Sequence, residues 1–124
     1  MFYNKSLIKS FEYAFAGVLH AFRFNRNIRM HALSALIVIL MSLYFQVGLL
    51  EASILGVVIL LVIASEMINT AIEEMVNLIT NEHRREAKIA KDVAAGMVLV
   101  TSIGSVVIGI LIFVPHILKL LSIV

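Results

Sequence analysis

The sequence predicts an all-α integral membrane protein, an N-terminal amphipathic surface helix followed by three transmembrane helices, and three observations carry the prediction. Of its 124 residues 61% are hydrophobic and only 15% charged, a balance outside that of soluble domains of this length. Three apolar runs, at about 32–50, 52–72 and 93–114, have the length of roughly 20 residues that a helix needs to cross a bilayer. The basic residues gather ahead of the first run and between the second and third.

The surface helix is expected over about 4–24, where Leu7, Ile8, Phe11, Phe15, Val18, Leu19 and Phe22 recur at helical spacing opposite Lys5, Lys9, Glu12 and Arg23. The first and second spans are joined by a few residues around Gly48 and Glu51, which makes them a tight antiparallel hairpin. A longer polar link, "NLITNEHRREAKIAKD", leads to the third span, whose end Pro115 and His116 mark. Five basic residues (Lys5, Lys9, Arg23, Arg26, Arg29) precede the first span and four (Arg84, Arg85, Lys88, Lys91) lie in the second link. The hairpin link has none, and Lys119 alone follows the third span. The positive-inside rule therefore predicts a multi-pass protein of the cell membrane, with its N-terminus cytoplasmic and its C-terminus outside. The net charge of +2 and pI near 9.2 suit anionic headgroups and call for no nucleic-acid partner. No secretory signal peptide, internal repeat or second domain is expected, so residues 1–124 read as one membrane-embedded domain. The absence of cysteine excludes disulfides, thiolate nucleophiles and cysteine-ligated zinc, which leaves chemistry to carboxylates, His, Lys, Arg and hydroxyls.

The second span ends in "IASEMINTAIEEMVN". At 3.6 residues per turn Glu66, Asn69, Glu73 and Asn77 fall within roughly 80° of one another, flanked by Thr70 and Glu74. With the cytoplasmic boundary near Glu73, Glu66 lies about 10 Å deeper, where a lipid headgroup meets its chains. A lone Asn or Thr there would simply bond a neighbouring helix. Two carboxylates on one stripe cost a few kcal/mol to embed, which points to a task. In the second link, Arg84, Arg85 and Lys88 read as solvated positive charge. Lys91 and Asp92 abut the small Ala94, Ala95 and Gly96, and an acidic stripe facing a cytoplasmic Lys suits a metal and a phosphate. His31 reads as an interfacial hydrogen-bonding residue, with no second His at ligand spacing. Thr101, Ser105 and Gly109 give the third span a small-residue face. There is no G-x-x-x-x-G-K-S/T loop and no protein-kinase glycine loop, so any nucleotide site is of another kind.

These stretches resemble a known family. "SEMINTAIEEMVNLITNEH" followed by "AKIAKDVAAGMVLV" is similar to the signature of the small prokaryotic lipid kinases, the diacylglycerol kinase and undecaprenol kinase family, with E-x-x-N-S/T-A-I-E before the second link and A-K-D after it. "IKSFEYAFAGVLHAFRFNRNIRMH" resembles that family's amphipathic N-terminal region, so the likeness covers nearly the whole chain. The resemblance implies a homotrimer that transfers the γ-phosphoryl group of MgATP to a membrane lipid alcohol at the cytoplasmic face, giving undecaprenyl phosphate or phosphatidic acid. It implies Glu66 as catalytic base, with Asn69, Asn27, Arg29, His31 and Ala95 around the lipid. Glu73 would hold Mg2+, and Tyr13, Asn25, Glu73, Glu82, His83, Arg84, Lys91 and Asp92 would meet the nucleotide.

Three departures stand out. Asn25 occupies the place of the family's second metal-binding glutamate, and Asn77 that of an aspartate; an amide oxygen ligates a hard cation without adding charge. Ser6 stands where the family has a nucleotide-contacting arginine. "NTAIE", "NLIT" and "AKIAKDVAAG" lie closer to the undecaprenol kinase branch. The residues alone leave two other readings open, a small ion- or proton-coupled transporter subunit and a kinase homologue that has lost catalysis.

Overall fold

The computed structural model describes residues 6–122, which form four helices and, among the described residues, no strand. They are α1 (Leu7–Phe24), α2 (Arg26–Phe45), α3 (Leu49–Ile79) and α4 (Arg85–Leu120). The Ser6 hydroxyl accepts the Lys9 N–H at 3.2 Å and so caps the start of α1. The expected beginning near residue 4, and Lys5 with it, lie outside the described residues.

One residue separates α1 from α2. Asn25 is extended (φ −112°, ψ 109°), its N–H reaching back to the Ala21 carbonyl at 2.9 Å while its Oδ1 accepts the Asn27 N–H at 2.8 Å. The chain thus leaves one helix and enters the next with both ends capped. Arg29, one turn into α2, donates from Nη1 to the Phe22 and Arg23 carbonyls, both at 2.9 Å. A cation on the last carbonyls of α1 is favourable in both hydrogen-bond and helix-dipole terms. Arg29→Ala is therefore expected to loosen α1 by about 1 kcal/mol, seen as faster hydrogen exchange of α1 amides with those of α3 unchanged.

The helices outrun the apolar spans, because polar helix-forming residues at their ends extend the hydrogen-bonded ladder without adding hydropathy. At 1.5 Å per residue the 31 residues of α3 make about 46 Å, and the 36 of α4 about 54 Å, well beyond a hydrocarbon core of ~30 Å. Glu73 and Asn77 ride on that excess length, while Glu66 and Asn69 lie within the span. Pro115 does not end α4, which continues to Leu120. Proline forfeits only the bond to the carbonyl four residues earlier, and spanning helices tolerate this where neighbours hold the turn. Here Phe113 and Ile112 pack on Leu55, and His116 Nε2 lies 2.8 Å from Glu51 Oε2 at the start of α3.

α3 is the central element, packed along α4 and more lightly on α2, while α1 rests on α2. The core is small: Leu55, Ile112 and Phe113, surrounded by Val38, Met41, Phe45, Val47, Ile108 and Ile117. Further toward the other end Ser65 and Thr101 share a hydroxyl hydrogen bond of 2.9 Å, which fixes the register of α3 against α4. Most of the large apolar side chains face outward, among them Leu36, Leu40, Leu60, Leu99 and Leu111. Such a surface is at home in lipid or against other apolar surface, not in water. With α2, α3 and α4 each long and apolar enough to cross a bilayer, the chain is a multi-pass membrane protein.

Candidate functional site

The side of α3 shut away from solvent is apolar at Leu55 and Val62 and turns polar one turn further on. Ser65, Glu66 and Asn69 are buried, and Glu66 retains only 2% of its exposure. Thr70 Oγ1 donates to the Glu66 carbonyl at 3.0 Å, as helical threonines do, which leaves its oxygen lone pairs facing α2. Asn25 fills that position. Its Nδ2 donates to Thr70 Oγ1 and, at 3.4 Å, to Glu66 Oε1.

Around this junction lies a pocket of about 320 Å³, walled by His20, Ala21 and Phe24 of α1, by Asn25, Arg26 and Asn27, and by Glu66, Asn69, Thr70, Glu73 and Glu74. Three members of the expected stripe, Glu66, Asn69 and Glu73, therefore face one space. Buried Asn69 Oδ1 has no hydrogen-bond partner among the described residues. A buried acceptor without a donor is expensive in a closed protein, and a hydroxyl or a cation in the pocket would satisfy it.

Asn77 leaves the stripe. It accepts from Lys91 Nζ at 2.7 Å, across the junction of α3 with α4. This pair belongs to a second hollow of about 700 Å³, lined by Asn77, Thr80, Asn81 and Glu82 on one side and by His83, Arg84, Arg85, Lys88, Lys91 and Asp92 on the other. Arg84 pairs with Glu82 at 3.0 Å, and Lys88 pairs with Asp92 one turn on. Both pairs are largely exposed, worth little as structure, and free to exchange partners with an incoming anion. Lys88, expected to be plain solvated charge, thus sits on the Asp92 carboxylate. The hollow gathers Glu82, His83, Arg84, Lys91 and Asp92 in one place, while Tyr13 lies on the exposed length of α1.

A third space lies deeper. Val62, one turn below Glu66 on α3, begins an apolar groove of about 240 Å³ whose walls are His31, Ala35, Val38 and Met41 of α2, Leu55, Val58, Ile59 and Ile63 of α3, and Ser105, Gly109 and Phe113 of α4. The hydroxyls of Ser34 and Ser105, also on this wall, are spent on the Met30 and Ser102 carbonyls at 3.0 and 2.7 Å, which leaves His31 as the polar side chain of the lining. His31 stands at this groove, Asn27 on the rim of the polar pocket, and Ala95 outward on α4. Arg29, expected beside the lipid, is occupied in holding α1.

Among the described residues no group of three or more His, Asp or Glu is placed to hold a cation by itself. Magnesium commonly takes one or two carboxylates and completes its shell with phosphate oxygens and water, so the oxygen donors Glu73 and Glu74 at this pocket fit the ion in company with a nucleotide. The periodicity of α3 foretold the stripe, but Thr70 as the relay to Asn25, and the Glu51–His116 pair at the opposite end, depend on contacts 45 and 65 residues apart that no local pattern displays.

Comparison with known proteins follows the same residues. The prokaryotic diacylglycerol kinase family matches residues 12–113. A diacylglycerol kinase of Synechocystis sp. is 38% identical over 117 residues, which cover 94% of this chain and 67% of that protein. An undecaprenol kinase of Bacillus subtilis is 40% identical over 107 residues, 86% of this chain and 87% of that one.

Proposed function

The chain belongs to the prokaryotic diacylglycerol kinase family and is a lipid kinase, and we propose that it moves the γ-phosphoryl group of MgATP to the hydroxyl of undecaprenol or diacylglycerol at the cytoplasmic face of the cell membrane. The observation that carries the reading is the stacking of the Glu66 pocket on the apolar groove. A lipid alcohol has the same plan, a hydroxyl on a hydrocarbon tail, and with its tail along Val62 its hydroxyl stands beside the Glu66 carboxylate.

The chemistry asks for a base, positioning and charge neutralisation. Glu66 accepts the proton of the lipid hydroxyl as its oxygen bonds to the γ-phosphorus; the bond from that phosphorus to the bridging oxygen breaks, and ADP departs. Asn69 Oδ1, otherwise unpartnered, receives and orients the hydroxyl before transfer. Glu73 holds Mg2+, which when bound spreads the charge of the phosphates. Lys91, Arg84 and His83 meet phosphate oxygens in the second hollow, with Glu82, Asp92 and Tyr13 disposed toward the rest of the nucleotide. α1 lies in the membrane surface over the pocket, the N-terminus is cytoplasmic and the C-terminus outside, and the outward apolar faces of α2 to α4 pack in a homotrimer. Undecaprenol is the favoured acceptor, since "NTAIE", "NLIT" and "AKIAKDVAAG" lie closer to the undecaprenol kinase branch.

The test is transfer of label from MgATP in mixed micelles, with undecaprenol and diacylglycerol offered in parallel. Phosphorylation of either supports the reading and the preferred lipid names the acceptor; transfer to neither by folded protein contradicts it. In the same assay Lys91→Met is expected to raise KM for MgATP about tenfold, the value of one charge-assisted bond, with KM for the lipid unchanged.

A further inference from the structure

We infer that Asn25 positions the Glu66 carboxylate and takes no part in holding a divalent cation. The inference rests on Glu66 being the base proposed above. An asparagine side chain offers two acceptor lone pairs and two N–H groups, and here all four are used. Oδ1, the atom that would have to face a cation, accepts the backbone N–H groups of Asn27 at 2.8 Å and Ile28 at 3.4 Å. Those two donors settle which end of the amide is oxygen. Nδ2 is thereby turned to α3, where it meets Thr70 Oγ1 and Glu66 Oε1. A cation at this amide would have to break the cap of α2 and would find N–H groups pointing at it.

The same arrangement has a use. A carboxylate on a flexible side chain must be held in one rotamer to act as a base, and an N–H from a rigid neighbour does this without supplying a competing proton acceptor. Asn25 is rigid because its backbone and side chain are tied into the end of α1 and the start of α2. A glutamate in its place would set like charge against Glu66, so a chain with Asn here and a chain with an acid here must orient the base differently.

Two variants test this. Asn25→Gly removes the side chain at a position where glycine caps nearly as well, and Asn25→Asp keeps the cap but replaces the N–H donors with an acceptor. For Asn25→Gly the expected result is a kcat lower by about 10- to 100-fold, the range for a hydrogen bond to a charged group, with KM for MgATP within about twofold of wild type. Mn2+ binding, followed by electron paramagnetic resonance as a readout independent of turnover, is expected to be unchanged. Asn25→Asp is expected to lose at least as much kcat while its thermal midpoint stays within a few degrees of wild type. Weaker Mn2+ binding by tenfold or more in Asn25→Gly would make Asn25 a metal ligand and overturn the inference, as would full kcat in that variant. Wild-type protein that transfers no phosphate would remove the base itself, a failure recognisable before any variant is compared.

Discussion

Glu66→Gln is expected to reduce phosphate transfer to the lipid by about 10²- to 10⁴-fold, the contribution of a positioned general base. The substitution is nearly isosteric, and the amide oxygen can still accept the Asn25 N–H at the place of Oε1. What it loses is the capacity to take a proton from the hydroxyl. With MgATP proposed to bind in the second hollow around Lys91 and Asp92, its affinity should stay within about twofold while single-turnover transfer collapses. Unchanged turnover in Glu66→Gln would assign the proton to another group. Because Glu66 is only 2% exposed, an unchanged thermal midpoint in the variant is the control that separates lost chemistry from lost fold.

Gly109→Leu is expected to discriminate lipid acceptors by tail length. The Ser65–Thr101 bond sets α3 against α4, and Gly109 lies eight residues further along α4, about 12 Å deeper than that bond. A Cβ at Gly109, on the groove wall, would meet nothing within 4 Å, so a side chain there starts into open space. Measured from its hydroxyl through the glycerol, dibutyrylglycerol reaches roughly 10 Å at ordinary bond lengths and stops short of Gly109, whereas a long acyl or prenyl tail must pass it. KM for long-tailed diacylglycerol or undecaprenol should rise about tenfold or more, the cost of overpacking one apolar site, and KM for dibutyrylglycerol should not move. Equal loss for both lipids, with a change in oligomeric state, would instead make this face a contact between copies of the chain.

The elements and the heart of the site were readable from the residues because membrane and helix impose strong periodic rules. Three apolar runs gave three long helices, and the 3.6-residue repeat placed Glu66, Asn69 and Glu73 on one face, where they line one pocket. Helix ends were less legible: α2 starts at Arg26 and α4 runs through Pro115, because hydropathy is silent on polar helical turns and on contacts such as Glu51 with His116. Asn77 shares the stripe by angle, yet about 16 Å along the axis from Glu66 it answers to α4 and Lys91 instead. The disposition of Asn25 was beyond any reading of spacing, since which end of its amide faces Glu66 is decided by two backbone N–H groups of α2.

The central claim is that a lipid hydroxyl is delivered to Glu66 by a tail lying in the groove beneath it. The most direct measurement is photolabelling of Glu66→Gln protein, held with MgATP, by a lipid alcohol that carries a diazirine early in its tail, with the labelled residues mapped by mass spectrometry. The account predicts label on Val62, Ile63 and Ala35, at the top of the groove, competed away by excess unlabelled lipid. Label confined to outward residues such as Leu36 and Ile37, and indifferent to competitor, would contradict it.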